Sequence, residues 1–382
     1  MERTERRRRG IALVEAAVLV VALVVALSAC GAPPRTDGGT ALVLAHHAHE
    51  PAPRPSPATL ERLRAAAADP DTDDATVFVV ADGVPTVEEV DLEPRRPNGD
   101  IERGPRLDVL LDERLAALVA AVDRAAVAGA GTDLLAALDR AAATGAVHLV
   151  VLSGGLSTTD PLDLRVTGWD TDPSVLARDL ADRRALPDLA GREVVFAGLG
   201  RTAGAQPPLG LPQQAVLRDY WLAVCAAAGA DACTVDDGAR DAPPPVSRLV
   251  PPVVPVPGVS TTPGPGDTEV VEVPAPLLFR PDRCDLRSDV DPTAALVPLV
   301  ERLRSGRWTV RISGRTAPVG TGDGTVLSTC RAQRAADLIV GLGVPPSAVV
   351  EVRGDGATLD PPTADLAALR RVVFTLEPRE RP

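Results

Sequence analysis

Ser328 and Arg331, three residues apart in Leu327-Ser328-Thr329-Cys330-Arg331-Ala332, are the pair in this chain best suited to hold an anion. A serine at the start of an amphipathic run can cap a helix, leaving the first backbone N–H groups free to face a negative charge. The helix dipole disfavours an arginine in that first turn. Arg331 becomes useful there if a carboxylate lies between its planar fork and those amides. An exposed or intramolecularly paired arginine is the other reading of the position.

Elsewhere the polar residues suggest little chemistry. Ser153 in Leu152-Ser153-Gly154-Gly155 lacks the G-x-S-x-G context of an activated nucleophile, and His148 enters an apolar strand, where it is expected to pack or to be hydrogen-bonded. Asp170, Asp172 and Asp179 read as a solvated loop and helix face. With no positioned nucleophile and base, a protein that is not an enzyme is expected, needing no cofactor. A net charge of -12 argues against nucleic acid as a partner, because no basic patch follows the first residues.

The N-terminal sequence points to export. Residues 1–10 carry five arginines, and Ile11 to Ala29 are apolar apart from Glu15 and Ser28. The ending Leu27-Ser28-Ala29-Cys30 resembles a lipobox, which implies cleavage before Cys30 and a lipid on its thiol. At 1.5 Å per residue the run is about 28 Å long, so an uncleaved anchor across a core of roughly 30 Å is the alternative. By either route the arginines at 6–9 keep their end inside, and everything after residue 30 lies outside the cytoplasm, tied to the membrane. Cys225, Cys233, Cys284 and Cys330 then form an even set that falls into two local pairs, 225 with 233 and 284 with 330. Four buried thiols are the alternative. A metal cluster does not fit these spacings, and His46, His47, His49 and His148 lie elsewhere.

Composition divides the chain into a signal or anchor over 1–29, a tether over 30–70, a first domain over 71–240, a Pro/Gly-rich linker over 241–269 and a second domain over 270–377. Prolines between Asp241 and Gly266 cannot sustain a helix or a central strand, so that stretch reads as an extended spacer. In the first domain, strands are predicted at Ala75–Ala81, Val147–Ser153, Val194–Gly198 and Ala232–Val235, interleaved with helices at Leu107–Val127, Thr132–Ala143 and Gln213–Ala228. Apolar strands without alternation imply an α/β sandwich with a mainly parallel sheet covered on both faces. The second domain predicts strands at Glu272–Phe279, Trp308–Ser313, Val349–Arg353 and Arg371–Leu376, with helices at Thr293–Arg304 and Thr329–Leu342. Val310, Ile312, Val350, Val352, Val372 and Phe374 should fill its α+β core, with Arg311 facing away.

Over residues 75–236 the chain resembles a von Willebrand factor A-type domain. That family holds a divalent cation through D-x-S-x-S after its first strand, a threonine before a later helix and an aspartate after a later strand. The matching stretches are Asp82-Gly83-Val84-Pro85-Thr86, Gly131-Thr132-Asp133 and Leu152-Ser153-Gly154-Gly155. Val84 and Gly154 replace two oxygen ligands, whereas a hard cation takes about six. The resemblance therefore implies a metal-free interaction scaffold, with Asp82, Thr86 and Thr132 as the residual metal candidates.

Residues 270–377 resemble the OmpA-like C-terminal domain, a module that binds peptidoglycan. The F-x-x-D of that family appears as Phe279-Arg280-Pro281-Asp282, its G-H-T-D as Gly314-Arg315-Thr316-Ala317, its L-S-x-x-R-A as Leu327 to Ala332, and its N-R-R-V as Leu369-Arg370-Arg371-Val372. The resemblance implies a site for a diaminopimelate-type peptide at Arg331, Ser328, Thr316, Arg315 and Arg371. Ala317 stands where an aspartate would accept the ligand's ammonium, and Gly324 stands in place of an asparagine. Losing a charged acceptor costs upwards of about 2 kcal/mol, so binding should be weak unless Asp323 or Asp285 substitutes. The function expected is a non-catalytic, membrane-anchored envelope protein that tethers to peptidoglycan and meets an unknown envelope protein through its first domain. A scaffold binding only protein is the alternative.

Overall fold

The computed structural model describes residues 38–45, 49, 52–69, 75–82, 87–125, 131–238, 240–242, 252–289, 291–317, 324–357 and 369–379. Gly38 to Pro382 form one compact unit. The expected export signal and Cys30 lie outside the described residues, among which no helix is long and apolar enough to cross a membrane.

The first sheet comprises β1 (Thr40–Leu44), β2 (Thr76–Ala81), β3 (Val87–Asp91), β4 (His148–Leu152), β5 (Glu193–Ala197) and β6 (Ala232–Asp236). Their order is β3-β2-β1-β4-β5-β6, parallel except where β3 runs antiparallel along β2. Successive residues of β1 face opposite sides, and all of them are buried. Leu42 and Leu44 pack with Leu63 of α1 (Pro57–Ala68) and Leu111 and Leu118 of α2 (Leu107–Arg124). Ala41 and Val43 belong instead to the core built with α3 (Leu134–Ala143), α4 (Pro173–Asp182) and α5 (Leu211–Ala227). The α/β layering expected from the apolar strands is therefore present.

Two expectations are corrected here. The segment 30–70, read as a tether, contains β1 and α1, and β1 is a central strand of the sheet. Five apolar residues beside Gly, Thr and His gave a weak local signal, and only their burial on both faces identifies them as a strand. The linker is also not a free spacer. Val254 is fully buried in the first core, and its backbone exchanges two hydrogen bonds with the Gln206 side chain, at 2.8 and 2.9 Å. Pro255 and Pro257 accept from Trp169 Nε1 and Gln213 Nε2. Prolines cannot donate to a ladder, but their carbonyls are open to side-chain donors.

The second sheet holds β7 (Ser260–Pro263), β8 (Glu269–Pro274), β9 (Trp308–Thr316), β10 (Val349–Ala357) and β11 (Arg371–Pro378) in the order β7-β8-β11-β9-β10. Only the β9–β10 pairing is parallel. Helices α6 (Val297–Arg304) and α7 (Thr325–Gly341) complete this α+β layer. Val310, Ile312, Val372 and Phe374 are buried as expected, and Arg311 faces outward to Glu351 and Glu377. Val350 is 49% exposed, contrary to its expected place in the core. The register shifts there, pairing Val310 with Val349 and Arg311 with Glu351, so Val350 bulges out. The strand expected over Glu272–Phe279 ends at Pro274 and passes into a 3-10 turn, Ala275–Leu277. Disulfides join Cys225 to Cys233 and Cys284 to Cys330.

Candidate carboxylate-binding site

Helix α7 carries the arginine, and two glycines let it lie where it does. Gly314 of β9 and Gly354 of β10 are register partners beneath the start of α7. A Cβ on Gly314 would lie 2.8 Å from the Ser328 carbonyl carbon, closer than real side chains approach. The helix begins at Thr325, after Gly324 turns the chain with φ 70°. Ser328 is therefore inside the helix and does not cap it. Its hydroxyl donates to Thr325 O and accepts from Gly356 N–H of β10, both at 3.0 Å, which ties helix to sheet. Arg331 sits nearly two turns in, away from the first backbone amides of the helix, so the expected joint site of capping amides and arginine does not form.

A carboxylate nevertheless meets Arg331. The side chain is 1% exposed, and its two terminal nitrogens donate to Asp170 at 2.9 and 3.1 Å, a fork-to-fork pair. Nε donates to Arg283 O at 2.8 Å, and the guanidinium stands 5.5 Å over the Phe279 ring. The Cys284–Cys330 bond, next in sequence to both Arg283 and Arg331, fastens the Phe279–Cys284 loop to α7. Arg370 Nε lies 3.9 Å from the same carboxylate.

Asp170 comes from the first domain. It belongs to the loop Gly168–Asp172 before α4, and its side chain is 2% exposed, so the expectation of a solvated loop is wrong at this residue. The loop is braced from beneath by buried Tyr220, whose hydroxyl donates to Gly168 O and accepts from Thr171 N–H, each at 3.2 Å. Asp172 N–H donates to Asp282 Oδ2 of the second domain at 3.1 Å. Burial pushes the Asp170 carboxyl above the ordinary aspartate range, while the Arg331 guanidinium pulls it down. Burial likewise raises Tyr220, and the Ser174 hydroxyl holds Asp172 below the usual carboxylate range. Beside this contact a cavity of about 310 Å³ opens, lined by Asp172, Asp219, Arg280, Arg283, Arg287 and Asp289.

The other expected site residues are only partly brought together. Arg315 pairs with Asp355 and Arg371 with Glu272, each at 3.4 Å. Thr316 is buried opposite Gly324, with no hydrogen-bond partner for its Oγ1 among the described residues. Asp285 is exposed, and Asp323 lies outside the described residues. Arg370 was missed, although strand parity could have found it: counting back by two from buried Val372 reaches Arg370, while Arg371 points the other way.

Among the described residues the A-type positions do not assemble a metal site. Asp82 follows β2, which is not the central strand; its Oδ2 accepts from Asp133 N–H at 2.7 Å, and Arg140 lies 3.9 Å from Oδ1. A guanidinium thus supplies the counter-charge a cation would bring. Thr132 N–H donates to Thr158 Oγ1, and Thr86 lies outside the described residues. Burial, with Asp82 nearby, raises the Asp133 carboxyl. Among the described residues no group of three or more His, Cys, Asp or Glu is placed to hold a metal. Ser153 is buried and donates to Ala45 O, and His148 Nδ1 lies 3.1 Å from Glu193.

Comparison with solved structures finds partial likenesses. A MotB-like protein from Desulfovibrio vulgaris is 24% identical over 32% of this chain and 81% of its own, with a TM-score of 0.28. The cell wall anchor of the T6SS from Pseudomonas aeruginosa is 22% identical over 32% of this chain and 88% of its own, with a TM-score of 0.27. The peptidoglycan-associated lipoprotein from Burkholderia pseudomallei is 22% identical over 26% of this chain and 87% of its own, with a TM-score of 0.23. No family model and no curated protein matches the chain.

Proposed function

We propose that this chain is a non-catalytic envelope protein, lipid-anchored through Cys30, whose second domain receives a carboxylate of a peptidoglycan peptide at Arg331. The observation that supports this reading is the bidentate seat itself. Arg331 is held by Arg283 O and backed by Phe279, and both of its terminal nitrogens are aimed at one carboxylate. Arg370 adds a second positive charge beside it. The ammonium end of a diaminopimelate ligand has only Ala317 at the expected acceptor position, so the carboxylate would dominate the affinity.

The test is calorimetric titration of the full folded chain with a soluble diaminopimelate-containing wall peptide, alongside sedimentation with purified peptidoglycan. Arg331→Ala should weaken any binding by about 1.5 to 3 kcal/mol, the range for a lost charge-assisted bond. Sedimentation unaffected by Arg331→Ala would remove the site from the account. A specific observation favours a second reading: the partner now on Arg331 belongs to the same chain. If no variant binds wall peptide, the pair is a structural joint, and the chain is a scaffold for protein partners.

A further inference from the structure

We propose that Asp170 is an internal stand-in for the ligand: it occupies the Arg331 seat and keeps it closed, and displacement of the Asp170 carboxylate opens the seat to a peptide carboxylate. This rests on the reading of Arg331 as a carboxylate seat and adds how that seat is controlled.

Three observations carry it. The first is exclusion: with Arg331 and Asp170 side chains 1% and 2% exposed and both terminal nitrogens engaged, an external carboxylate cannot reach the fork without displacing Asp170. The second is that the occupant has the ligand's own chemistry and is delivered by a different domain, 161 residues away in sequence. Covalent linkage gives such an occupant an effective concentration in the millimolar range or above, so a weak external ligand loses the competition. The third is that the loop itself makes few hydrogen bonds across the seam, although α5 also packs against the Ala275–Leu277 turn and Trp169 of the loop is buried in the first core. Besides Asp170, the described loop contact across the seam is Asp172 N–H to Asp282 Oδ2, and Asp282 sits at φ 51°, an unfavourable backbone region for a residue with a side chain. Next to the contact lies the mixed-charge cavity lined by Asp172 and Arg283, a landing place for an incoming peptide before Asp170 is displaced. Apparent affinity for such a peptide is reduced by the fraction of molecules in the open state.

The experiment titrates four full-length forms with a soluble diaminopimelate-containing wall peptide: the parent, Asp170→Asn, Asp282→Gly, and Asp170→Asn combined with Arg331→Ala. Asp170→Asn removes the competing charge. Asp282→Gly leaves the Asp170–Arg331 hydrogen bonds in place, removes the Asp172 contact together with a negative charge that acts on Asp170, and tolerates the positive φ, so it serves if the first variant folds poorly. Folding is checked by circular dichroism. The expected result is that Asp170→Asn binds at least about tenfold tighter than the parent, Asp282→Gly gains less, and the double variant loses the gain. If the parent binds as tightly as the folded variants, the closure is overturned while wall binding stands. If no form binds the peptide, the wall-binding reading fails and this inference fails with it.

Discussion

Replacing Gly314 with alanine adds one methyl group at the point where α7 rests on the second sheet. The new Cβ would strike the Ser328 carbonyl oxygen and lie 2.8 Å from its carbon and 3.2 Å from its Cα. These are backbone atoms of a helix, so no side-chain rotation relieves the clash, and the whole start of α7 must lift. Overpacking of this kind costs about 1 to 3 kcal/mol even where side chains can yield. Lifting the helix also strains the 3.0 Å bond between Ser328 Oγ and Gly356 N–H, worth about 1 kcal/mol. A loss of about 2 to 4 kcal/mol follows from the two effects. Gly341, at the other end of the same helix, has open space within 4 Å of the point a Cβ would occupy, so Gly341→Ala should be neutral or stabilising by about 0.5 to 1 kcal/mol. Urea unfolding of both variants against the parent gives the comparison. If Gly314→Ala falls within about 0.5 kcal/mol of the parent, the scatter typical of surface substitutions, the glycine-seated helix is wrong.

Further outcomes are expected. Arg331→Met or Asp170→Leu alone should destabilise the chain by about 3 to 5 kcal/mol, because each strands one buried charge, whereas the double variant should recover much of that loss; additive losses in a denaturation cycle would mean the two side chains are not coupled. Peptide mapping without reductant should recover 225 linked to 233 and 284 linked to 330, and four alkylatable thiols in the folded protein would contradict the pairing. Cys30→Ser should abolish lipid labelling of the expressed protein and leave a slower-running precursor; unchanged labelling and mobility would favour an uncleaved anchor.

The legible parts of the fold are those with a strong local period. Apolar strands such as His148–Leu152 and Glu193–Ala197 stand out from their surroundings, and the cysteine spacings anticipate both disulfides. β1 is not legible, because five apolar residues in a Gly- and His-rich stretch look like any short hydrophobic run until a sheet closes around them. Arg331 is legible as an arginine suited to a carboxylate, and the intramolecular pair that the structure shows is the alternative reading of that position. The partner of Arg331 is not legible, because Asp170 sits in a polar loop whose composition predicts solvation, and its burial depends on docking against residues 161 positions away. Helix α7 starts earlier than its sequence suggests because glycine at a positive φ can begin a helix without any side-chain cap, which leaves no signature in the capping residues.

The docked linker sets how far the two halves of the molecule can reach. While Val254 is buried and Gln206 holds its backbone, residues 252–257 are stored against the first domain and add nothing to the span. Peeling off those six residues in extended form would release about 19 Å of tether at roughly 3.1 Å per residue. Once the Asp170–Arg331 and Asp172–Asp282 contacts between the halves gave way, that stored length would let them move apart, with the Gln206 amide pair and the bonds of Trp169 and Gln213 to Pro255 and Pro257 breaking as the linker peeled off.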